Sequence, residues 1–250
     1  MLKTKILLPP TVVGLGIFLT GLSGLYVSSF LAILGITIIF WGSLLYYIKP
    51  TKQIPVSFIE ATSTPSTDNL NRFFSELQFT QKGIYLPPSK LKEPDSSLVF
   101  IPKKPIQTTP TCEEITSNMF TINAEGMLLS PPGYGLVKLM EQKLGRSFSK
   151  IEFSTLQKQL PRLLVDDLEI AENIDIQTET NIVTFEIKGS VFKGECNQTQ
   201  KQPIVHDLVG CLLSSGLACA LAKVTGKSVI INNEETIGKI TKITCHLAEE

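Results

Sequence analysis

The side chains best suited to thiol or metal chemistry are Cys112, Cys196, Cys211, Cys219 and Cys245, with His206 and His246. A deprotonated thiol is both nucleophile and metal ligand, and imidazole is the commonest general base. The number of cysteines is odd, and no two form a Cys-x-x-Cys pair. Cys211 and Cys219 are eight residues apart, which on one helix sets them about 80° apart in projection. Leu212, Leu213, Leu217, Ala218, Ala220 and Leu221 surround them. Two small core residues is therefore the plain reading, and a metal or reactive-thiol pair is the alternative. Cys245 and His246 are adjacent on an expected strand, so they point to opposite faces and do not share one ion. Cys211 and Cys245 come together only if the fold brings them together.

Other motifs fail on spacing. Thr225-Gly226-Lys227-Ser228 has the end of a phosphate loop, but Leu221 stands where the first glycine belongs, and the segment follows a helix rather than a strand. Pro132-Gly133-Tyr134-Gly135 reads as a helix-start turn. Asp166, Asp167, Glu169 and Glu172 read as a solvated helix face. No Gly-x-Ser-x-Gly elbow accompanies either histidine. The sequon Asn197-Gln198-Thr199 has no use in the cytoplasm. With 23 basic and 23 acidic residues and a pI near 6.7, the chain has no electrostatic footprint for nucleic acid.

No charged residue lies between Lys5 and Lys49. This uncharged run is about twice the roughly 20 residues one bilayer span requires. It predicts an N-terminal transmembrane helical hairpin: residues 1–50 as a two-helix anchor, with the bilayer as partner through residues 10–48. Span one covers Pro10–Tyr26, Ser28 and Ser29 turn the chain, and span two covers Phe30–Ile48. Pro9 and Pro10 suit a first turn. Trp41, Tyr46 and Tyr47 lie towards the end of span two, where the tyrosines suit the interface. Gly16, Thr20 and Gly24, four residues apart, allow close helix approach. Lys3 and Lys5 precede the pair, and Lys49 and Lys52 follow it. The positive-inside rule then predicts a two-pass protein of the cell membrane with both termini cytoplasmic. Cytoplasmic thiols are reduced.

Residues 51–69 read as a flexible polar linker. Residues 70–250 read as a soluble α+β cytoplasmic domain with antiparallel strands and a long buried helix. A helix capped by Thr67 or Asp68 carries Leu70, Phe73, Phe74 and Leu77 and ends at Gly83. Residues 84–86 and 98–101 are short strands, and residues 102–117 a Pro/Thr loop. Residues 120–122 and 127–129 pair around Asn123–Gly126. A helix follows Pro131-Pro132-Gly133, with Leu136, Leu139, Met140 and Leu144 inward. Another, capped by Ser154, bends at Pro161. Residues 174–178 and 182–187 form a hairpin. Asp207 caps one long helix to Thr225, closed by Gly226. Residues 229–231 and 240–247 are the last strands.

The 207–225 helix is apolar nearly all round and slimmed by Gly210, Ser214, Ser215, Gly216, Ala218 and Ala222. It packs closely on its own sheet or on a second subunit. Cys211, Leu212, Ser215, Gly216, Cys219 and Cys245 are accordingly the candidates for a ligand pocket or dimer seam.

The hairpin 174–187, Ser190-Val191-Phe192, the helix with Cys211 and Gly216, Gly226-Lys227, the turn at Gly238 and the last strand with Cys245 follow one another in a recognisable order. In this order residues 174–248 resemble the 4-vinyl-reductase-like domain, related to the small-subunit fold of TRAPP tethering complexes. The whole chain is also similar to uncharacterised archaeal membrane-anchored proteins. The resemblance implies a dimerising domain with an internal pocket for an apolar small molecule. Some relatives bind zinc through cysteines, but here Glu234-Glu235 is followed by Thr236 where that family has a cysteine.

The sequence thus predicts a membrane-tethered binding or interaction module, dimeric, without catalysis, cofactor or metal. The alternatives are a sensor holding an apolar small molecule in its pocket, and an enzyme using Cys211 or Cys245 as thiolate.

Overall fold

The computed structural model describes residues 2–26, 28–47, 56–91, 93, 95–105, 120–121 and 126–248. Two compact units divide the chain, Met1–Ile54 and Pro55–Glu250. The first contains α1 (Leu2–Tyr26) and α2 (Ser29–Tyr47). Their backbones meet where side chains are small. A methyl on Gly16 would strike Ile39 and the Gly35 carbonyl, one on Gly35 would strike Thr20, and one on Gly42 would strike Val13. Thr20 fits because its hydroxyl donates back to the Gly16 carbonyl at 2.8 Å. Gly24 makes no such approach. By length and composition, the one stretch among the described residues that reaches a bilayer's width is Pro203–Thr225, and most of it is buried inside the protein. The apolar stretches Pro10–Tyr26 and Ser29–Leu44 are shorter.

The second unit opens with α3 (Val56–Glu76), which runs through most of the expected linker. Pro65 lies inside this helix. Neither Thr67 nor Asp68 is a cap, and the helix ends at Glu76, with Gln78 turning the chain at φ 58°, rather than at Gly83. Residues 51–55 lie outside the described residues.

Among the described residues eight antiparallel strands follow: β1 (Ile84–Tyr85), β2 (Val99–Pro102), β3 (Phe120–Thr121), β4 (Gly126–Leu129), β5 (Asn173–Glu179), β6 (Ile182–Lys188), β7 (Val229–Ile237) and β8 (Ile240–Leu247). They form one sheet in the order β3-β4-β2-β1-β7-β8-β6-β5. The expected hairpin of β5 and β6 is present, with Thr180 turning at φ 43°; β7 runs on past the expected 229–231 to Ile237, where Gly238 turns it into β8 with φ 61°. Most of the 102–117 loop, with Cys112, and the 122–125 turn lie outside the described residues.

Period-two alternation decides which side of the sheet is buried. Val183, Phe185, Ile187, Ile243 and Cys245 all enter the main core. Tyr85, Val99, Ile101 and Met127 join them, while Ile84, Phe100 and Leu128 turn to a smaller cluster with Leu86 and Leu91. β5 forms one edge of the sheet, and its exposed Asp175 and Glu179 discourage pairing with another chain.

The helices are α4 (Tyr134–Leu144), α5 (Phe153–Arg162), α6 (Lys193–Gln200), α7 (Pro203–Val209) and α8 (Leu212–Thr225). Gly145, in the left-handed region, ends α4 as expected. Val137 is buried in α4, whereas Leu139 is exposed. α5 begins after Glu152, so Ser154 is not its cap, and the bend at Pro161 becomes a π turn over Leu163–Asp167. α6 lies in a segment the sequence left unassigned. The single helix expected from Asp207 to Thr225 is two helices broken at Gly210 and Cys211, with Asp207 inside α7. α8 is the buried axis of the domain, touching α4, α5, α6, β1, β7 and β8. One cation of α8 is buried with it: Lys223 Nζ lies 3.0 Å from Glu141 Oε1 of α4.

Candidate functional site

The break between α7 and α8 builds the site. Gly210 has φ 67°, and a methyl there would meet Ile231 at 2.9 Å and the Ser214 hydroxyl closer still. Only glycine turns the chain here without strain. The end of α7 is anchored from β1: the Gly83 N–H donates to the Leu208 carbonyl at 2.7 Å, and the Tyr85 hydroxyl to the Val209 carbonyl at 2.5 Å. Burial pushes the Tyr85 phenol well above its ordinary range.

After the break, Cys211 is the N-cap residue of α8, but its own side chain caps nothing. Other elements supply the anionic partners that a helix start favours. Glu234 of β7 accepts the Cys211 N–H at 3.2 Å and the Ser214 hydroxyl at 2.5 Å through Oε2. The Leu212 and Leu213 N–H groups face the Glu195 carboxylate and the Cys196 thiol of α6. His206 Nε2 stands 3.7 Å from Glu234 Oε2.

Donor atoms of Glu195, Cys196 and Cys211 all lie within 4.8 Å of one another, and all three residues are buried. Thr199 donates to Glu195 Oε1 at 3.2 Å, while Glu195 Oε2 is buried without a hydrogen-bond partner. Burial raises the Glu195 carboxyl above its ordinary value. It raises the Cys211 thiol well above the usual thiol value, with Cys196 adding to the effect. A hydrogen bond from Cys211 favours the Cys196 thiolate, but burial and the nearby carboxylates outweigh it, and that thiol is raised too.

A cavity of about 340 Å³ adjoins this cluster. Ser66, Thr67 and Leu70 of α3 line it, with Ser130, Pro132, Glu195, Thr199, Val205, Gly210 and Leu212. Gln202 hydrogen-bonds Asp68, tying α3 to the link between α6 and α7.

The six residues singled out from the sequence do not form one site. Leu212 alone lines the cavity. Ser215 accepts the Gly133 N–H at 3.0 Å, and Gly216 lies under Gly133 and Leu136. The close approach that the small residues permit is thus made to α4 of the same chain. Cys219 and Cys245 are core thiols, and Cys211 precedes α8 rather than sharing its face with Cys219. The partner of Cys211 is Cys196, not Cys245. Cys196 and His206 are among the candidates for thiol or metal chemistry in the sequence, but Glu195, Thr199 and Glu234 are not. Their one signal is the adjacent pair Glu195-Cys196 in a polar stretch ahead of Pro203.

An all-antiparallel sheet built around a buried helix, preceded by two apolar helices, defines an α+β protein with a buried thiol–carboxylate cluster beside a cavity. The chain belongs to the family described as a domain of unknown function, DUF7982, which matches residues 4–245. No curated protein and no solved structure matches it.

Proposed function

We propose that the chain is a membrane-tethered cytoplasmic binding module without catalytic activity, with α1 and α2 as a two-pass anchor. The observation that carries this reading is where large apolar side chains face outward. Among the described residues, thirteen of the eighteen exposed large hydrophobics lie on α1, α2 and their ends, including Phe18, Phe30, Ile33, Phe40 and Trp41. Such density on a water-soluble surface would drive association, whereas a bilayer covers it. The basic residues on both flanks favour cytoplasmic termini. The absence of catalysis is supported by the thiols: Cys196, Cys211, Cys219 and Cys245 are all free and buried, so none is presented as a nucleophile.

Reporter fusion after Glu250 tests the topology, together with alkaline extraction of membranes carrying the full chain. A cytoplasmic signal and retention in the extracted membrane are expected. An external signal, or release by alkali, overturns the reading.

The cavity favours a second reading within the same frame, a sensor of a small molecule. Its wall combines apolar Leu70, Pro132, Val205 and Leu212 with polar Ser66, Ser130, Thr199 and Glu195. This suits a ligand with one apolar face and one hydrogen-bonding edge, rather than a wholly apolar one. Native mass spectrometry of the detergent-released chain tests it. A retained adduct lost on Leu212→Trp is expected, and an adduct indifferent to that change excludes this cavity.

A further inference from the structure

We propose that Glu195, Cys196 and Cys211 form a binding site for a thiophilic divalent cation of the zinc class, with one coordination position opening towards the cavity. The inference rests on the cluster alone and is independent of the membrane anchor.

Two thiols and a carboxylate from two helices converge within 4.8 Å. Sulfur and carboxylate ligands bind zinc at about 2.3 and 2.0–2.2 Å, so tetrahedral ligand atoms stand about 3.3–3.8 Å apart. An inward shift of about 1 Å closes the set around an ion. Two sulfurs select against magnesium and calcium, which take oxygen ligands.

The surroundings fit the bound state. Glu195 is 6% exposed, and its Oε2 has no hydrogen-bond partner although its Oε1 is held by Thr199. An unsatisfied buried carboxylate oxygen is costly unless something occupies it, and a cation does so. Outer contacts hold the ligands in place. The Leu213 N–H faces the Cys196 sulfur, and the Ser214 hydroxyl lies 3.6 Å from the Cys211 sulfur. Donors placed behind the ligand atoms in this way orient thiolates and offset their negative charge. Glu195 also borders the cavity, so the fourth position faces the space where water or a small ligand enters. On binding, Cys196 and Cys211 lose their thiol protons to solvent, and the Glu195 carboxylate binds unprotonated.

The test uses the full chain, released in detergent and purified with thiols kept reduced. Elemental analysis is expected to find about one zinc per chain, as a closed structural or open-site ligand set implies. After chelation, cobalt(II) is expected to give a thiolate-to-cobalt charge-transfer band in the near ultraviolet. Cys196→Ser and Cys211→Ser each weaken zinc binding by more than the roughly 10–100-fold that outer-shell partners are worth. Glu195→Gln weakens binding but keeps the band, since both sulfurs remain. Cys219→Ser, in a core position away from the cluster, leaves both unchanged. Should the ligand variants fail to fold, zinc but not magnesium is still expected to raise the melting temperature of the wild-type chain. No band in the wild-type chain overturns the proposal, as does a band unaffected by Cys196→Ser and Cys211→Ser. A Cys196–Cys211 disulfide in freshly trapped protein overturns it in favour of a redox pair.

Discussion

The carboxylate of Glu234 caps the backbone N–H of Cys211 across 3.2 Å, joining the middle of β7 to the first turn of α8. The same oxygen holds Ser214, so one side chain satisfies two donors at a buried helix start. A carboxylate at this position meets the positive end of the helix dipole. Glu234→Ala strands the buried Cys211 N–H and leaves the Ser214 hydroxyl to the Cys211 carbonyl at 3.2 Å, a loss of about 1–3 kcal/mol. Urea unfolding of the full chain in detergent reads this as a lower midpoint. Glu235→Gln, at an exposed neighbouring position, serves as the unchanged reference.

Two positive-φ glycines differ in both conformation and crowding. Gly210 has φ 67° and ψ −175°, a region essentially confined to glycine, with Ile231 and Ser214 against it, while Gly226 has φ 68° and ψ 9°, the left-handed region, with open space around it. Gly226→Ala costs about 1–2 kcal/mol from conformation alone. Gly210→Ala adds an overpacking penalty of roughly 1–3 kcal/mol. Equal shifts in melting temperature for the two variants would show that the α7–α8 break tolerates a side chain.

Lys223 and Glu141 form a buried ion pair at 3.0 Å, and the Phe148 N–H also donates to Glu141 Oε1. Lys223→Met leaves the carboxylate without its cation and costs about 3–5 kcal/mol. The double variant Lys223→Met, Glu141→Leu recovers much of that loss, because both desolvated charges are gone. A double-mutant cycle in urea measures the coupling; additive losses would mean the pair is not coupled.

Burial lifts the Cys245 thiol from its ordinary 9.0 to about 12, with Glu234 adding to the rise. The folded chain therefore holds this proton more tightly than the unfolded one. The stabilisation is complete below about pH 9 and is lost as pH rises from there to about 12. Each such group contributes a slope of at most about 1.4 kcal/mol per pH unit in that window. Cys245→Ala is expected to flatten the alkaline limb of a stability–pH curve and leave the neutral region parallel. An unchanged alkaline slope would show that Cys245 ionises freely in the fold.

The strands were legible because alternation survives in β5, β6 and β8: Val183, Phe185 and Ile187 announce one buried face without tertiary information. α6 was not legible, since only Glu195, Cys196 and Thr199 of its residues are buried and nothing in the stretch has helical apolar spacing. The α7–α8 break was hidden for the opposite reason. Val205, Leu208, Val209, Leu213 and Leu217 are all buried, so the apolar run reads through Gly210 as one helix. That misreading placed Cys211 beside Cys219 and obscured its meeting with Cys196. In the sequence Glu234 is simply half of an adjacent acidic pair. A bulge between Ile231 and Asn233 shifts the register of β7, and Glu234 thereby turns inward while Glu235 stays in solvent.

The sheet order carries a consequence for how the domain assembles. β1 meets β7 through only Ile84↔Ile230 and Tyr85↔Val229, partners from nearly opposite ends of the domain sequence. On one side of that seam β5–β6 and β7–β8 are sequence-local hairpins, and on the other β1–β2 and β3–β4 pair strands that are neighbours in the sequence. Local pairings close early, whereas a two-residue seam between distant segments carries a large loop-closure entropy for little reward. Folding is therefore expected to form the two halves of the sheet first and close the seam last. The Gly83 and Tyr85 bonds to the end of α7 then act as the latch that makes closure cooperative.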